Sequence, residues 1–383
     1  MTLSWRRAGV LVGVAAVTAL GFALAAAVHE PEPIYAPAPA LEHAVPEARA
    51  AALLAVGDTG RYHPWRPWHE GQRSVARGLV AEDRRAPVDA LVLLGDNFYP
   101  DGLLARELVT RIGANLVRPY CRFADLSGPR SGEVADACAL PPEERRPIPI
   151  LAVLGNHDYG AAESPELQRA EIPKFLPNWS LLPGAADVVE IAPGLSLVRV
   201  DSRLASEPAG AEQVRAALER AAGPFRVVAI HVPIAIPEGR RRRRYVANSA
   251  LVREVLAEFP QPVQLVLSGH EHNLQAILLD LGRPALHVIA GGGSNARPVV
   301  HPKPVFQGRV FAMPATGFAR VDFLGRGSEQ GLLVSLFNMP RHPFVFWREP
   351  RLVSQWWVER SGEAHRVYPP NSPSSASASD STG

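Results

Sequence analysis

Residues 88–99 read VDALVLLGDNFY, a mostly apolar run that ends at a glycine and an aspartate. The run AALLAVGD at 51–58 and the run ILAVLGNH at 150–157 end in the same way, with Gly-Asp and Gly-Asn. Short apolar runs of this length are typical of strands that are covered on both faces. Each of these predicted strands therefore carries a polar side chain just past its carboxyl end.

Three later apolar runs repeat the pattern. The run at 225–230 ends at His231, the run at 263–267 leads through Ser-Gly to His270, and the run at 285–290 ends in three glycines. The sequence therefore predicts six buried strands, five of which deliver a carboxylate, an amide or an imidazole at the carboxyl end.

Stretches with helical periodicity lie between several of these strands. They cover 104–116, 214–221 and 251–259, the last of which follows the possible helix caps Asn248 and Ser249. Strands that alternate with helices predict an α/β layered sheet. The carboxyl ends of the strands share one edge of such a sheet, which is where ligands bind.

The groups expected at this edge suit a metal site. Two carboxylates, an amide oxygen and several imidazoles would repel one another or lack partners without a cation. Seven such groups are enough for two ions that share a carboxylate. The candidate ligands are Asp58, Asp96, Tyr99, Asn156, His231, His270 and His272.

Five segments in this order resemble the calcineurin-type metallophosphoesterases. They are GDTG at 57–60, GDNFY at 95–99, GNHD at 155–158, the turn at His231, and GHEH at 269–272. Any one of them is a weak signal, but all five in order make a specific one.

Two features make the chain similar to one branch of that family, the purple acid phosphatases of the tartrate-resistant type. Gly60 stands where most relatives carry a metal-binding histidine, and Tyr99 follows the shared aspartate by three residues. The resemblance implies a layered β-sandwich flanked by helices in four layers, α/β/β/α, with a dinuclear metal site at the carboxyl ends of the strands.

The resemblance also implies a ferric ion beside a divalent iron, zinc or manganese ion, bridged by Asp96. Phenolate and carboxylate are hard anionic donors that favour trivalent iron, whereas imidazole and amide suit a divalent ion. The implied ferric ligands are Asp58, Asp96, Tyr99 and His272, and the implied divalent ligands are Asp96, Asn156, His231 and His270.

The expected reaction is hydrolysis of a phosphate monoester by direct attack of a metal-activated hydroxide, because the motifs contain no serine or cysteine nucleophile. We predict that His157 stabilises the phosphoryl group or protonates the leaving group, with Asp158 orienting it. Asn97 is a candidate for substrate binding. Two alternatives stay open: a phosphodiesterase or nucleotidase with the same metals, and a non-catalytic surface protein on this scaffold.

Five consecutive arginines at 240–244 follow the His231 turn. Such a run is usually a solvated face. The alternative is a substrate rim in which Arg240, Arg241 and Arg242 grip a second phosphate or a polyanionic substrate.

The two ends of the chain have compositions unlike the middle. Residues 8–28 carry no charge and follow Arg6-Arg7, which predicts that 1–28 is a signal peptide or, if uncleaved, a membrane anchor. The Pro/Ala-rich stretch 29–50 is expected to be a spacer, 51–366 the metallophosphoesterase domain, and 367–383 a disordered tail. We expect an exported protein, periplasmic or extracellular, that contacts a membrane only through its N-terminal segment.

The composition excludes several classes of function. The 40 Lys and Arg residues nearly cancel the 38 Asp and Glu residues, so no nucleic-acid partner is expected. The resemblance to the metallophosphoesterases implies a phosphorylated small molecule or a phosphoprotein as the substrate. Two cysteines exclude a four-cysteine zinc site and an iron–sulfur cluster. In an exported chain Cys121 and Cys138 can form a local disulfide, with two free thiols as the alternative.

Overall fold

The computed structural model describes residues 31–61, 71–234, 242–299, 308–340 and 349–370, with the backbone alone for 242–248. Its β-strands are β1 (Ile34–Tyr35), β2 (Arg49–Val56), β3 (Ala90–Leu93), β4 (Ile150–Ala152), β5 (Trp179–Leu181), β6 (Ala186–Ala192), β7 (Leu195–Val200), β8 (Phe225–Ile230), β9 (Leu265–Ser268), β10 (Leu274–Asp280), β11 (Pro284–Ala290), β12 (Arg309–Met313), β13 (Gly317–Leu324), β14 (Gly331–Asn338), β15 (Arg351–Val358) and β16 (Ala364–Tyr368).

The α-helices connect and cover these strands. They are α1 (Gly71–Arg85), α2 (Leu108–Ile112), α3 (Arg118–Tyr120), α4 (Ser164–Ala170), α5 (Ile172–Phe175), α6 (Pro208–Arg220) and α7 (Arg242–Glu258). A π-helical turn, Gly113–Val117, joins α2 to α3. Short 3-10 turns occupy Ala105–Glu107, Ser131–Glu133, Ala135–Ala137, Pro142–Glu144, Leu204–Ser206 and Gly327–Glu329.

The strands form two mixed eight-stranded sheets. Sheet A has the order β1-β12-β10-β11-β9-β8-β7-β6, and sheet B has the order β16-β15-β14-β13-β2-β3-β4-β5. Strands β2 to β5 run parallel in sheet B, and β7, β8, β9 and β11 run parallel in sheet A. The six strands predicted from apolar runs are β2, β3, β4, β8, β9 and β11, and all of them lie in these parallel halves.

The side chains of β2 show how the layers are held together. Ala51, Leu53 and Ala55 pack between the two sheets, whereas Leu54 and Val56 face the helices on the outside of sheet B. A third apolar cluster packs α6 and α7 against the outer face of sheet A. Alternating side chains of a strand point to opposite faces, so these clusters confirm the four-layer α/β/β/α fold.

The segment predicted to be a spacer packs on the domain where the structure describes it. Strand β1 pairs with β12, placing Ile34 opposite Ala312, and the Tyr35 ring lies 5.5 Å from that of Phe311. The Arg366 guanidinium donates a hydrogen bond of 2.6 Å to the carbonyl of Ala36. Residues 34–36 of the stretch predicted to be a spacer thus pack on the domain.

The structure describes only part of the other segments predicted at the chain ends. Strand β16 continues to Tyr368, two residues past the expected domain end. Residues 1–28 and 371–383 lie outside the described residues. Among the helices that the described ranges contain, none combines the length and the apolar character that crossing a bilayer requires.

Helix α7 and the cysteines settle two further predictions. Asn248 and Ser249 lie inside the helix and do not cap its start, contrary to the prediction. Cys121 and Cys138 are joined by a disulfide across 17 residues.

Candidate metal centre

The parallel halves of both sheets deliver the predicted ligands to one edge. Asp58 and Asp96 follow β2 and β3, and His231 follows β8. These three residues are 0%, 1% and 0% exposed, and one potential ligand atom from each lies within 4.8 Å of the others. Such complete burial of two carboxylates and an imidazole requires compensation by a cation or a proton.

The backbone under these side chains is tightly bent. Asp58, Asp96 and His270 have φ values of 60°, 54° and 67°, the left-handed region that residues with a Cβ rarely adopt. A Cβ on Gly269 or on Gly291 would lie 2.7 Å from Oδ2 of Asp58. Glycine at both positions therefore leaves room for the carboxylate. The left-handed backbone of the three non-glycine residues is a strain that is typical of functional sites.

A first cluster joins Asp58, Tyr99 and His272. The Tyr99 hydroxyl donates a hydrogen bond of 2.9 Å to Oδ1 of Asp58 and lies 3.1 Å from Nε2 of His272. Nε2 of His272 is 3.2 Å from Oδ1 of Asp58. Because Nδ1 of the same ring hydrogen-bonds Oδ1 of Asn295, the lone pair sits on Nε2 and faces the cluster.

A second cluster joins Asp96, Asn156, His231 and His270. Nε2 of His231 lies 3.4 Å from Oδ1 of Asp96, 3.3 Å from Oδ1 of Asn156 and 3.2 Å from Nδ1 of His270. Nδ1 of His231 is 2.8 Å from the carbonyl of Leu94, to which it donates, so Nε2 is again the atom with the lone pair. Asp96 also hydrogen-bonds Tyr99 and thereby touches both clusters.

The loop that carries Tyr99 explains why residue 60 is a glycine. A Cβ at Gly60 would overlap the backbone of Asn97, and the amide of Tyr99 donates a hydrogen bond of 3.0 Å to the carbonyl of Gly60. The tyrosine loop thus occupies the space that a side chain at position 60 would need. A tyrosine ligand and a histidine at position 60 exclude each other in this packing.

The electrostatics of the two clusters fit a cation. Burial, reinforced by Asp58 and Asp96, raises the pKa of Tyr99, so the phenol loses its proton only when positive charge compensates these carboxylates. Burial lowers the pKa of His231, but Asp96 and Asp58 outweigh it and leave that pKa raised. Two buried carboxylates and imidazole lone pairs aimed at one region form a donor set that could hold metal ions.

His157 lies at the mouth of this site. Its backbone amide donates a hydrogen bond of 2.9 Å to Oδ1 of Asp96, and its ring packs on Tyr99 with centroids 4.3 Å apart. Nδ1 lies 2.5 Å from the carbonyl of Pro100. The side chain is half-buried, and because Nδ1 donates to this carbonyl, Nε2 is the nitrogen that can accept a proton and, in the imidazolium form, release it.

Asp158 does not orient His157, contrary to the prediction. The described residues show no hydrogen bond between the two side chains, and burial with the neighbouring Asp96 raises the pKa of Asp158 to about 7. Its carboxylate instead ties together the turns that carry the ligands. The donors to it are the amides of Gly155 (2.8 Å), Asn97 (3.1 Å) and Phe98 (3.0 Å) and Nε2 of Gln168 (3.0 Å).

The direction of the Asn97 side chain also differs from the prediction that this residue binds substrate. Its amide nitrogen donates inward, at 2.9 Å to the carbonyl of Val153 and at 3.2 Å to Oε1 of Gln168. The sharp turn after β3 sends Asp96 and Asn97 in opposite directions. Of the predicted arginine rim, Arg240 and Arg241 lie outside the described residues, and Arg242 is placed only as the first residue of α7.

Sequence reasoning missed two residues of the site. The guanidinium of Arg61 lies 4.9 Å from the centre of the Tyr99 ring, and its buried Nε has no hydrogen-bond partner among the described residues. Asn295, in the loop after β11, fixes the ring of His272. The glycine run before Asn295 was a signal for a turn near this edge, but nothing in the sequence marks Arg61.

Comparison with known proteins agrees with this geometry. The family model of the calcineurin-like phosphoesterases matches residues 51–274, which is more than half of the 383-residue chain. No curated protein sequence matches the chain.

Two solved structures share the fold at low sequence identity. GAP50, described as the anchor in the inner membrane complex of Plasmodium, is 15% identical with a TM-score of 0.52, over 80% of this chain and 90% of GAP50. The structure of PhoD is 12% identical with a TM-score of 0.53, over 86% of this chain and 73% of PhoD. The fold, the clustered carboxylates and imidazoles, and the match of the family model together show that this chain belongs to the calcineurin-like phosphoesterase family.

Proposed function

We propose that this protein is an exported phosphomonoesterase with two metal ions, of the purple acid phosphatase type. The observation that carries the proposal is the position of the Tyr99 hydroxyl, within 3.1 Å of both Asp58 and His272. A phenol among the donors favours a ferric ion in the first cluster, and the amide and imidazoles of the second favour divalent iron, zinc or manganese.

The residues have separate roles in the proposed reaction. When bound, the metal ions lower the pKa of water and neutralise phosphate charge. In its imidazolium form His157 can give the Nε2 proton to the leaving oxygen, while its Nδ1–H stays bonded to the Pro100 carbonyl. Asp158 and Gln168 keep the turns rigid, and Arg61 presents a cation beside Tyr99 for a phosphate oxygen.

Export of the protein is part of the proposal. The disulfide between Cys121 and Cys138 supports an oxidising compartment, and the uncharged run at 8–28 supports a signal peptide or an anchor. The test is to express the full chain with a C-terminal tag and locate it in cell fractions. Retention in the cytosol with reduced cysteines would contradict export.

The catalytic proposal is tested with two substrates on one preparation. We expect the metal-loaded protein to hydrolyse nitrophenyl phosphate and to hydrolyse bis(nitrophenyl) phosphate much more slowly. Asp58→Asn should abolish the monoester activity, whereas the surface variant Arg326→Ser should keep it. Preference for the diester would favour the phosphodiesterase alternative, and no activity with two bound metals would favour a scaffold protein.

The scaffold alternative has weaker support. A site that binds no cation would leave Asp58 and Asp96, both almost fully buried, with only hydrogen bonds and neighbouring imidazoles to offset their charge. Such burial of carboxylates is costly unless they are paired or bind metal.

A further inference from the structure

A cavity of about 590 Å³ lies between α1, α3 and the loop after Cys138, and five arginines line it. Its volume is in the range of small-molecule sites. None of its lining residues belongs to the metal clusters. The arginines are Arg73, Arg77, Arg84, Arg118 and Arg122.

The arginines of α1 share one face of that helix. Arg73, Arg77 and Arg84 are separated by four and seven residues, which places them along one stripe. At about 1.5 Å per residue the stripe is roughly 16 Å long. Ala76 and Val80 lie between the arginines and give the cavity an apolar floor.

Arg84 and Arg122 are neutralised by acidic side chains of the protein itself. Arg84 pairs with Glu144 at 2.8 Å, and Nε of Arg122 pairs with Asp83 at 2.6 Å. Asp83 also pairs with Arg146, so one carboxylate serves two arginines. Positive charge therefore remains in excess on this side of the molecule.

Arg77 and Arg118 carry that excess. In the described part of the chain neither has an acidic side chain within ion-pair distance, and Glu349 is the one acid among the described lining residues. Partial burial, reinforced by Arg73, lowers the pKa of Arg77. Cations that repel one another around a concave surface gain from a bound anion.

The far wall of the cavity is held in place covalently. Ala139 and Leu140 line it directly after Cys138, and the disulfide ties Cys138 to the lining residue Cys121. The amide of Leu140 also lies 3.4 Å from Sγ of Cys121. The disulfide thus restrains the loop that forms this wall of the cavity.

We propose that this cavity binds a small molecule with at least two phosphate groups. A chain of phosphates can contact more of the arginines along the α1 stripe than a single phosphate can, because the stripe is roughly 16 Å long. Arginine forks match phosphate oxygens in geometry and charge. The cavity is distinct from the metal centre, and the proposal does not depend on the proposed catalytic activity.

The test is calorimetric titration of the metal-loaded full chain with inorganic triphosphate. We expect Arg77→Ser/Arg118→Ser to raise the Kd by about tenfold or more, because it removes charge-assisted hydrogen bonds. The matched control Arg106→Ser/Arg326→Ser removes two exposed arginines outside the cavity and should bind as wild type does. Orthophosphate should bind about tenfold more weakly than triphosphate.

A third protein, Asp58→Asn, distinguishes triphosphate binding in the cavity from binding at the metal centre. If that variant does not fold, chelator-treated wild type takes its place. Either should keep the triphosphate site. Loss of binding in these metal-depleted proteins would assign the ligand to the metal centre and overturn the proposal. Unchanged binding in Arg77→Ser/Arg118→Ser, or an equal loss in the matched control, would overturn it as well.

Discussion

At the scale of single residues, His157 has one ring nitrogen committed to the Pro100 carbonyl and one available. We expect His157→Ala to slow hydrolysis of an alkyl phosphate by about 100-fold, the size typical of a lost proton donor. An aryl phosphate should lose much less, because a phenolate leaves without a proton. Steady-state rates on both substrates, with metal content checked, test this.

A structural role for His157 would give a different pattern. If the variant lost equal activity on both esters, the residue would act through the site geometry and not through a proton. His365→Ala, a change in strand β16, serves as the control and should leave both rates unchanged.

Arg61 is predicted to act on binding. Its guanidinium stacks on Tyr99 at 4.9 Å and its Nε lacks a partner within the described ranges. We expect Arg61→Ala to raise KM for a monoester and the inhibition constant of phosphate by about tenfold, with kcat changed much less. A fall in kcat at constant KM would contradict the assignment. Arg326→Ala is the charge-matched control.

At the scale of elements, His287 on β11 makes the stability of sheet A depend on pH. Burial, reinforced by Arg253, lowers its pKa to about 3, and its Nε2 lies 2.8 Å from Oγ of Ser268 on β9. The folded protein thus keeps this imidazole neutral. Its contribution to stability is complete above the unfolded pKa of about 6.5 and is lost as pH falls towards 3.

The measurement is the free energy of unfolding against pH for wild type and His287→Gln. Wild type should lose about 1.4 kcal/mol more per pH unit than the variant between pH 6 and pH 4. Glutamine keeps a polar group for Ser268 but does not titrate. Parallel curves would show that the imidazole is protonated in the folded state.

The disulfide between Cys121 and Cys138 stabilises the loops that cover α1 and α3. It closes 17 residues, so Cys121→Ser/Cys138→Ser should lower the free energy of unfolding by about 3 kcal/mol. Denaturant unfolding under non-reducing conditions measures this. A variant as stable as the oxidised wild type would show that packing alone holds the loop.

The sequence predicts best those strands that are buried on both faces. Strands of the parallel halves are mostly apolar, so β2, β3 and β8 stand out as apolar runs. The antiparallel strands of the C-terminal region alternate or carry buried polar groups such as Arg320, which pairs with Asp322. They lack the apolar run, and β1 is too short to give any periodic pattern.

At the scale of the whole molecule, the site is predictable because it follows from topology. Parallel strands of two sheets end at one edge, so residues after β3 and β8 meet although Asp96 and His231 are far apart in sequence. The direction of individual side chains is not predictable in this way. Asn97 and Asp158 sit in the same motifs as the ligands, yet tight turns aim them into the protein.

The central claim is that a tyrosinate and two carboxylates that follow strands of sheet B, with imidazoles that follow strands of sheet A, hold a ferric ion beside a divalent one. The most direct measurement is the visible absorption spectrum of purified protein with elemental analysis, for wild type and Tyr99→Phe. The account predicts two metal ions per chain and a visible tyrosinate-to-iron band that disappears in the variant. A colourless wild type that holds two metals, or a band that persists in Tyr99→Phe, would contradict it.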